Sequence, residues 1–157
     1  ERRSYFNETD ETVNLKMHAA FKHDLVPMVC IGEVLADRES GNTKSVLDLQ
    51  LEVAFKGITA EQALKSIIAY EPVWAIGTGK TATSTMANDT IKEIRAKVSE
   101  LYGAEVAQQV RILYGGSVKT NNIDELLKES DIDGALIGGA ALEANNFLVF
   151  TESAKNK

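Results

Sequence analysis

Residues 69–82 read AYEPVWAIGTGKTA. They continue an apolar run, SIIAY at 66–70, that has the length and composition of a buried strand. The run ends in a carboxylate, Glu71. Pro72, Val73 and Trp74 follow, then a glycine-rich tip at Gly77, Thr78 and Gly79. A long helical pattern begins at Ser84, with Ile91, Ile94, Val98 and Leu101 as its apolar stripe, Ser84 as a plausible cap and Gly103 at its end. The stretch is therefore strand, long turn, helix, and its turn carries both a candidate base and a flexible tip.

The same order recurs outward in both directions. Towards the N-terminus, residues 44–58 place Leu47, Leu51, Ala54, Phe55 and Ile58 on one helical face. Before them come a polar stretch broken at Gly41-Asn42, a short strand at 26–31, and an amphipathic helix over 10–24 capped by Thr9 or Asp10. Towards the C-terminus, residues 111–114 read as a third strand and 121–129 as a short helix. Residues 134–137 make a fourth strand and 142–154 a terminal helix. Strands separated by helices imply parallel pairing in an α/β fold. Four such units fit a small doubly wound sheet or half of an eight-unit barrel, whose usual length is about 250 residues.

Composition narrows the function. The 157 residues are 44% hydrophobic, enough for a core, and carry a net charge of −6. That balance argues against nucleic-acid binding, which calls for a basic surface. An anionic substrate would have to be held by local groups. No apolar run reaches the length of a membrane span, and no signal-peptide pattern is visible. The single cysteine, Cys30, excludes an intrachain disulfide and fits a reducing cytoplasm. The chain starts Glu1-Arg2-Arg3 without methionine, so it is expected to be a piece of something longer.

Three successive strands run into glycine turns: Gly77-Thr78-Gly79, Gly115-Gly116-Ser117 and Gly138-Gly139-Ala140. In a parallel sheet all three lie at the carboxyl ends of the strands, on one face. Glycine lets a backbone N–H approach an anion closely, and a following helix adds its dipole. Each turn alone is what any βα unit needs; three together point to a phosphate. The nucleotide motifs fit poorly. Position 74, where a Walker A loop needs glycine, is Trp. Residues 77–82 satisfy G-x-G-x-x-A, but Glu71 to Ile76 separate them from the strand, so a dinucleotide domain remains only a competing reading.

Most glutamates are surface or salt-bridge residues. Glu71 differs in standing at a strand's mouth between Tyr70 and Trp74, where desolvation would strengthen it as a base. His18 and His23 follow no strand and receive no catalytic role. Cys30 reads as a packed thiol, and no spacing suits a metal site or a Ser-His-Asp triad.

Taken together, these segments resemble the triosephosphate isomerase family. Residues 69–83 are similar to its base strand and lid loop. Tyr114-Gly115-Gly116-Ser117-Val118 resembles its seventh-strand phosphate loop, residues 133–140 its eighth-strand loop, and Val29-Cys30-Ile31-Gly32-Glu33 its fifth strand. Glu1-Arg2-Arg3 resembles the tail of its fourth loop. The order holds over essentially the whole chain; one small departure is Ala141, where many members carry serine.

The resemblance implies a partial TIM (β/α)8 barrel of about four βα units, strands 5–8 with their helices plus the helix before strand 5, as one incomplete domain over 1–157. It implies a glycolytic and gluconeogenic isomerase of triose phosphates, working without cofactor or metal in the cytoplasm, and a homodimer as the full-length protein, with no nucleic-acid or membrane partner. Glu71 would move the proton. Gly77, Ser117, Gly138 and Gly139 would bind phosphate through backbone N–H groups. Glu1, Cys30, Trp74 and Tyr114 would support the site, Cys30 packed beneath it and Tyr114 holding the closed lid. Pro72-Val73-Trp74 and Lys80-Thr81-Ala82 would be the hinges. The family's histidine, lysine and asparagine have no counterpart here, so the chain alone is expected to be inactive. Half a barrel also leaves open edges and an unfilled inner face, so the isolated chain is expected to self-associate.

Overall fold

A computed structural model of the chain describes residues 2–78 and 80–157. In chain order the elements are α1 (Arg2–Phe6), α2 (Asp10–Lys22), β1 (Met28–Ile31), α3 (Leu35–Glu39), α4 (Thr43–Ala54), α5 (Ala60–Lys65) and β2 (Ile67–Tyr70). They continue with α6 (Ser84–Tyr102), α7 (Ala104–Gln109), β3 (Arg111–Tyr114), α8 (Ile123–Lys128), β4 (Gly134–Ala135) and α9 (Ala144–Lys155). The four strands form one parallel sheet in the order β1-β2-β3-β4. Parallel neighbours require crossovers, and helices supply each one. The fold is a partial TIM barrel, as the family resemblance implies; the alternating patterns alone leave a small doubly wound sheet open as well.

The sheet register sets which side chains reach the core. Val29, Ile68 and Ile112 are aligned across three strands, as are Ile31, Tyr70 and Tyr114. All six are buried, in one cluster with Leu47 and Leu51 of α4 and Ile91, Ile94 and Val98 of α6. The alternate rows, Met28-Ile67-Arg111 and Cys30-Ala69-Leu113, point to the other face by the period of two. Met28 and Arg111 are exposed there. One face is thus covered by helices, and the other is the face that a closed barrel fills with its own layers.

Local chemistry explains most boundaries. Thr9 begins α2 through a reciprocal capping box with Thr12, and Thr59 begins α5 in the same way with Gln62. Gly57 (φ 75°) closes the turn after α4, where a left-handed residue is needed. The cap of α6 is Thr83, which accepts from the Met86 N–H, rather than Ser84. Ser84 instead donates to Glu125 on α8. Leu101 is exposed, and Ala87 completes the buried stripe in its place.

Four short helices depart from the expected pattern: α1 precedes the first expected helix, and the others are α3, α5 and α7. α3 occupies part of the polar stretch before Gly41, and α5 and α7 each lead into a strand. With five or six residues they are too short to display a period. The fourth strand keeps only Gly134 and Ala135. Leu142 belongs to a 3-10 turn, Gly139–Leu142, ahead of α9.

Arg95 joins several of these pieces. It is 8% exposed and donates to the Ala107 and Val110 carbonyls, to Asp131, and to Asp133 at 2.7 Å. The same Asp133 oxygen accepts from the Ile112 N–H. A charged hub on α6 therefore fixes the end of α7, the start of β3 and the approach to β4.

Candidate active site

The ends of the strands stay in step past their last residues. Glu71 N–H donates to Ile31 C=O at 2.7 Å, Gly115 N–H to Tyr70 C=O at 2.7 Å, and Leu136 N–H to Tyr114 C=O at 2.9 Å. The segments holding Gly77, Ser117, and Gly138 with Gly139 therefore all leave the same end of the sheet.

Glu71 continues the row of Cys30 and Ala69, so alternation turns it to the open face. Its side chain lies across Gly115: a Cβ added there would stand 2.6 Å from Glu71 Cγ. Gly32 is equally constrained, since a Cβ would fall 1.8 Å from the Glu71 carbonyl oxygen. Two glycines of neighbouring strand ends thus make the bed in which this glutamate rests. A cavity of about 790 Å³ opens on this side, lined by Arg3, Lys16, Cys30, Gly32 and Glu71 among others.

Cys30 is exposed rather than packed, because its row faces that open side and no strand covers it among the described residues. Desolvation by the surrounding chain, then the Glu71 carboxylate, pushes its thiol up to about 12.

The opposite row carries a second constellation. Glu33 extends the buried series Val29, Ile31, and its Oε1 accepts from Tyr70 OH at 3.1 Å and from Trp74 Nε1 at 2.9 Å. Arg38 NH1 stands 3.6 Å from the same oxygen. Burial, then the Glu33 charge, drives the Tyr70 phenol well above its ordinary value. In the sequence Glu33 carries no role beyond closing the segment similar to the family's fifth strand, and no motif singles out Arg38. The available signal was a carboxylate two positions past an apolar strand, in the strand's buried phase.

Between the two rows runs the loop. A 3-10 turn, Val73–Ala75, follows Pro72, and Thr78 Oγ1 donates to the Trp74 carbonyl at 2.6 Å. Gly77 has φ 69° and is exposed. Gly79 lies outside the described residues, as does Glu1. The exit of the loop is fixed at Ala82, which is buried, and at the Thr83 cap. Tyr114 is fully buried with its hydroxyl over Gly116, where a Cβ would come within 2.2 Å of it. Burial pushes Tyr114 up to about 12, with the Ala82 backbone opposing that shift, and its buried hydroxyl makes no hydrogen bond among the described residues.

Asn122 shapes the loop around Ser117. It donates to the Ser117 carbonyl at 3.0 Å and accepts from the Lys119 N–H at 2.7 Å. Gly138 and Gly139 open the 3-10 turn after β4 and are exposed. The G-x-G-x-x-A match does not open a helix: α6 starts only at Ser84, and β2 ends at Tyr70. The turn geometry of a dinucleotide site is therefore missing. Among the described residues no group of three His, Cys, Asp or Glu side chains is arranged to hold a metal, and no helix is long and apolar enough to cross a membrane.

Residues 1–154 match the sequence model of the family described as triosephosphate isomerase. The triosephosphate isomerases of Clostridium perfringens (strain 13 / Type A) and Clostridium botulinum (strain Eklund 17B / Type B) are each 60% identical to the chain over 147 residues. That of Clostridium tetani (strain Massachusetts / E88) is 55% identical over 147 residues. Each alignment covers 94% of this chain, but only 59%, 59% and 58% of the respective relative. The chain thus spans well under two thirds of the length of the curated relatives it matches.

Proposed function

The chain belongs to the triosephosphate isomerase family, and on that premise we propose that the full-length protein carrying it interconverts dihydroxyacetone phosphate and glyceraldehyde 3-phosphate, with Glu71 as the base. The observation that supports this most is the seating of Glu71. A carboxylate rests on Gly115, at the mouth of the sheet, on the open face, directly ahead of a glycine-tipped loop.

The chemistry follows from that placement. A Glu71 oxygen takes a proton from C1 of the ketone. The C–H electrons form a C1=C2 double bond, and the carbonyl π electrons move onto the C2 oxygen, giving an enediolate. The proton on the C1 oxygen passes to the C2 oxygen, which becomes the hydroxyl of the product. The C1 oxygen's electrons then form the aldehyde C=O as the C1=C2 electron pair takes the proton back from Glu71 at C2. N–H groups of Gly77, Ser117, Gly138 and Gly139 hold the phosphate, where backbone donors suit an anion in a chain of net charge −6. Closure of the loop excludes water and keeps the enediolate from expelling phosphate. Tyr114 holds the closed form.

The charge developing on oxygen needs an electrophilic partner. The family's histidine, lysine and asparagine have no counterpart among these 157 residues, and losing one such donor typically costs about 2.7–4 kcal/mol of transition-state stabilisation. The 157-residue chain by itself is therefore inactive on this reading, and the full-length protein, a cytoplasmic homodimer, is the enzyme.

Formation of glyceraldehyde 3-phosphate by the full-length protein tests the proposal. Glu71→Gln should lower kcat by about 10²–10⁴-fold, the usual worth of a positioned base. An inert wild-type protein, or a Glu71→Gln variant with full turnover, would sink it.

A further inference from the structure

Glu33 is the point on which the loop's entrance converges. Its side chain is 0% exposed, yet both hydrogen bonds to Oε1 come from neutral donors, Tyr70 and Trp74. The paired cation is Arg38, on α3, at 3.6 Å. Arg38 makes two more contacts. Its NH1 donates to Thr90 Oγ1 at 3.1 Å, and its guanidinium carbon lies 5.9 Å from the centre of the Trp74 ring. Thr90 in turn donates to the Met86 carbonyl at 3.0 Å, which fixes its hydroxyl to accept from Arg38.

One side chain therefore touches both flanks of the loop. Trp74 stands where the loop leaves the sheet. Thr90 lies in the second turn of α6, the helix into which the loop runs. We infer that Arg38 is a positioning residue for this loop: it holds Glu33 and, through it, the Trp74 indole, and ties that entry hinge to the helix that follows the exit hinge. The inference rests on the proposed reading of residues 72–82 as a closing lid. Arginine suits the task physically. A buried carboxylate needs a cation as well as dipoles, and a planar guanidinium can hydrogen-bond at one edge while lying near an aromatic ring. Lysine would keep the charge and lose the fork.

The experiment uses the full-length protein. Arg38→Met keeps the aliphatic stem and removes the guanidinium. It should lower kcat roughly tenfold, the scale of a small misplacement, with KM little changed. Arg38→Lys should recover part of the loss. Unchanged kcat per folded molecule in Arg38→Met, with only a lower melting temperature, would show a purely structural role and overturn the assignment. A second arm needs no activity. Trp74 is the chain's single tryptophan. With any tryptophans elsewhere in the full-length protein changed to phenylalanine, acrylamide quenching reports on it alone. Arg38→Met and Glu33→Gln should each raise the quenching constant, and the double variant should add nothing to the larger single effect, since both loosen one hydrogen bond. Additive effects, or no change in Arg38→Met, would overturn the inference. An inert wild-type protein with a non-additive quenching cycle would remove the isomerase reading and leave the role of Arg38 standing.

Discussion

At the scale of single residues, the seat of Glu71 is the sharpest feature. Gly115→Ala puts a methyl 2.6 Å from Glu71 Cγ, and the nearest atoms belong to a side chain that can swing away. The fold should tolerate this better than the chemistry does. We expect the full-length Gly115→Ala protein to melt close to wild type while kcat falls up to about 10²-fold, since a displacement near 1 Å can cost that much. A variant with unchanged kcat would show that Glu71 needs no such seat. Cys30 reports on the same carboxylate. With its thiol pushed up to about 12, it should stay protonated at pH 8 and react slowly with iodoacetamide despite being exposed. Glu71→Gln removes the second cause of that shift, so alkylation should accelerate; an unchanged rate would place the two groups out of contact. Glu71 was legible in the sequence because a carboxylate ending an apolar run is conspicuous. Glu33 was not, because its meaning comes from Tyr70, Trp74 and Arg38, which meet it only across the fold.

At the scale of elements, α6 organises the C-terminal half. Its apolar stripe was readable from period alone, but its polar attachments were not. Arg95 spans partners up to Asp133, and no local pattern links those positions. Arg95→Leu removes the guanidinium from Asp133, from the Asp131 carboxylate and from three carbonyls, and breaking such a largely buried pair costs about 3–5 kcal/mol. Urea or thermal unfolding of the full-length protein should show a loss near the lower end, since Asp133 is partly exposed; a loss under about 1 kcal/mol would deny Arg95 its hub role. The cap of α6 teaches a related lesson. Two hydroxyls, Thr83 and Ser84, stand at the helix start, and sequence favours neither strongly. The backbone leaves Thr83 extended, so its oxygen reaches the Met86 N–H, and Ser84, already helical, turns to Glu125. The short helices α1, α3, α5 and α7 were missed because one turn and a half carries no period.

At the scale of the whole molecule, the parallel sheet ends in two open edges, β1 and β4, among the described residues, with one face only partly covered. Unpaired strand edges beside exposed apolar groups such as Met28 invite pairing with another chain. The 157-residue chain expressed alone should therefore self-associate, and light scattering that finds a monodisperse monomer would contradict this. The sequence by itself determined the alternation of strands and helices, the succession of glycine turns, the identity of the candidate base and the likeness to one family. These are properties of neighbours along the chain: period, punctuation and motif. Only the tertiary structure decided that Glu71 rests on Gly115, that Cys30 faces the open side, and that Arg38 and Glu33 lie beneath the loop's entrance. Those relations depend on strand register and on helices crossing back over the sheet. A shift of one residue in register would exchange the two faces and undo every one of them.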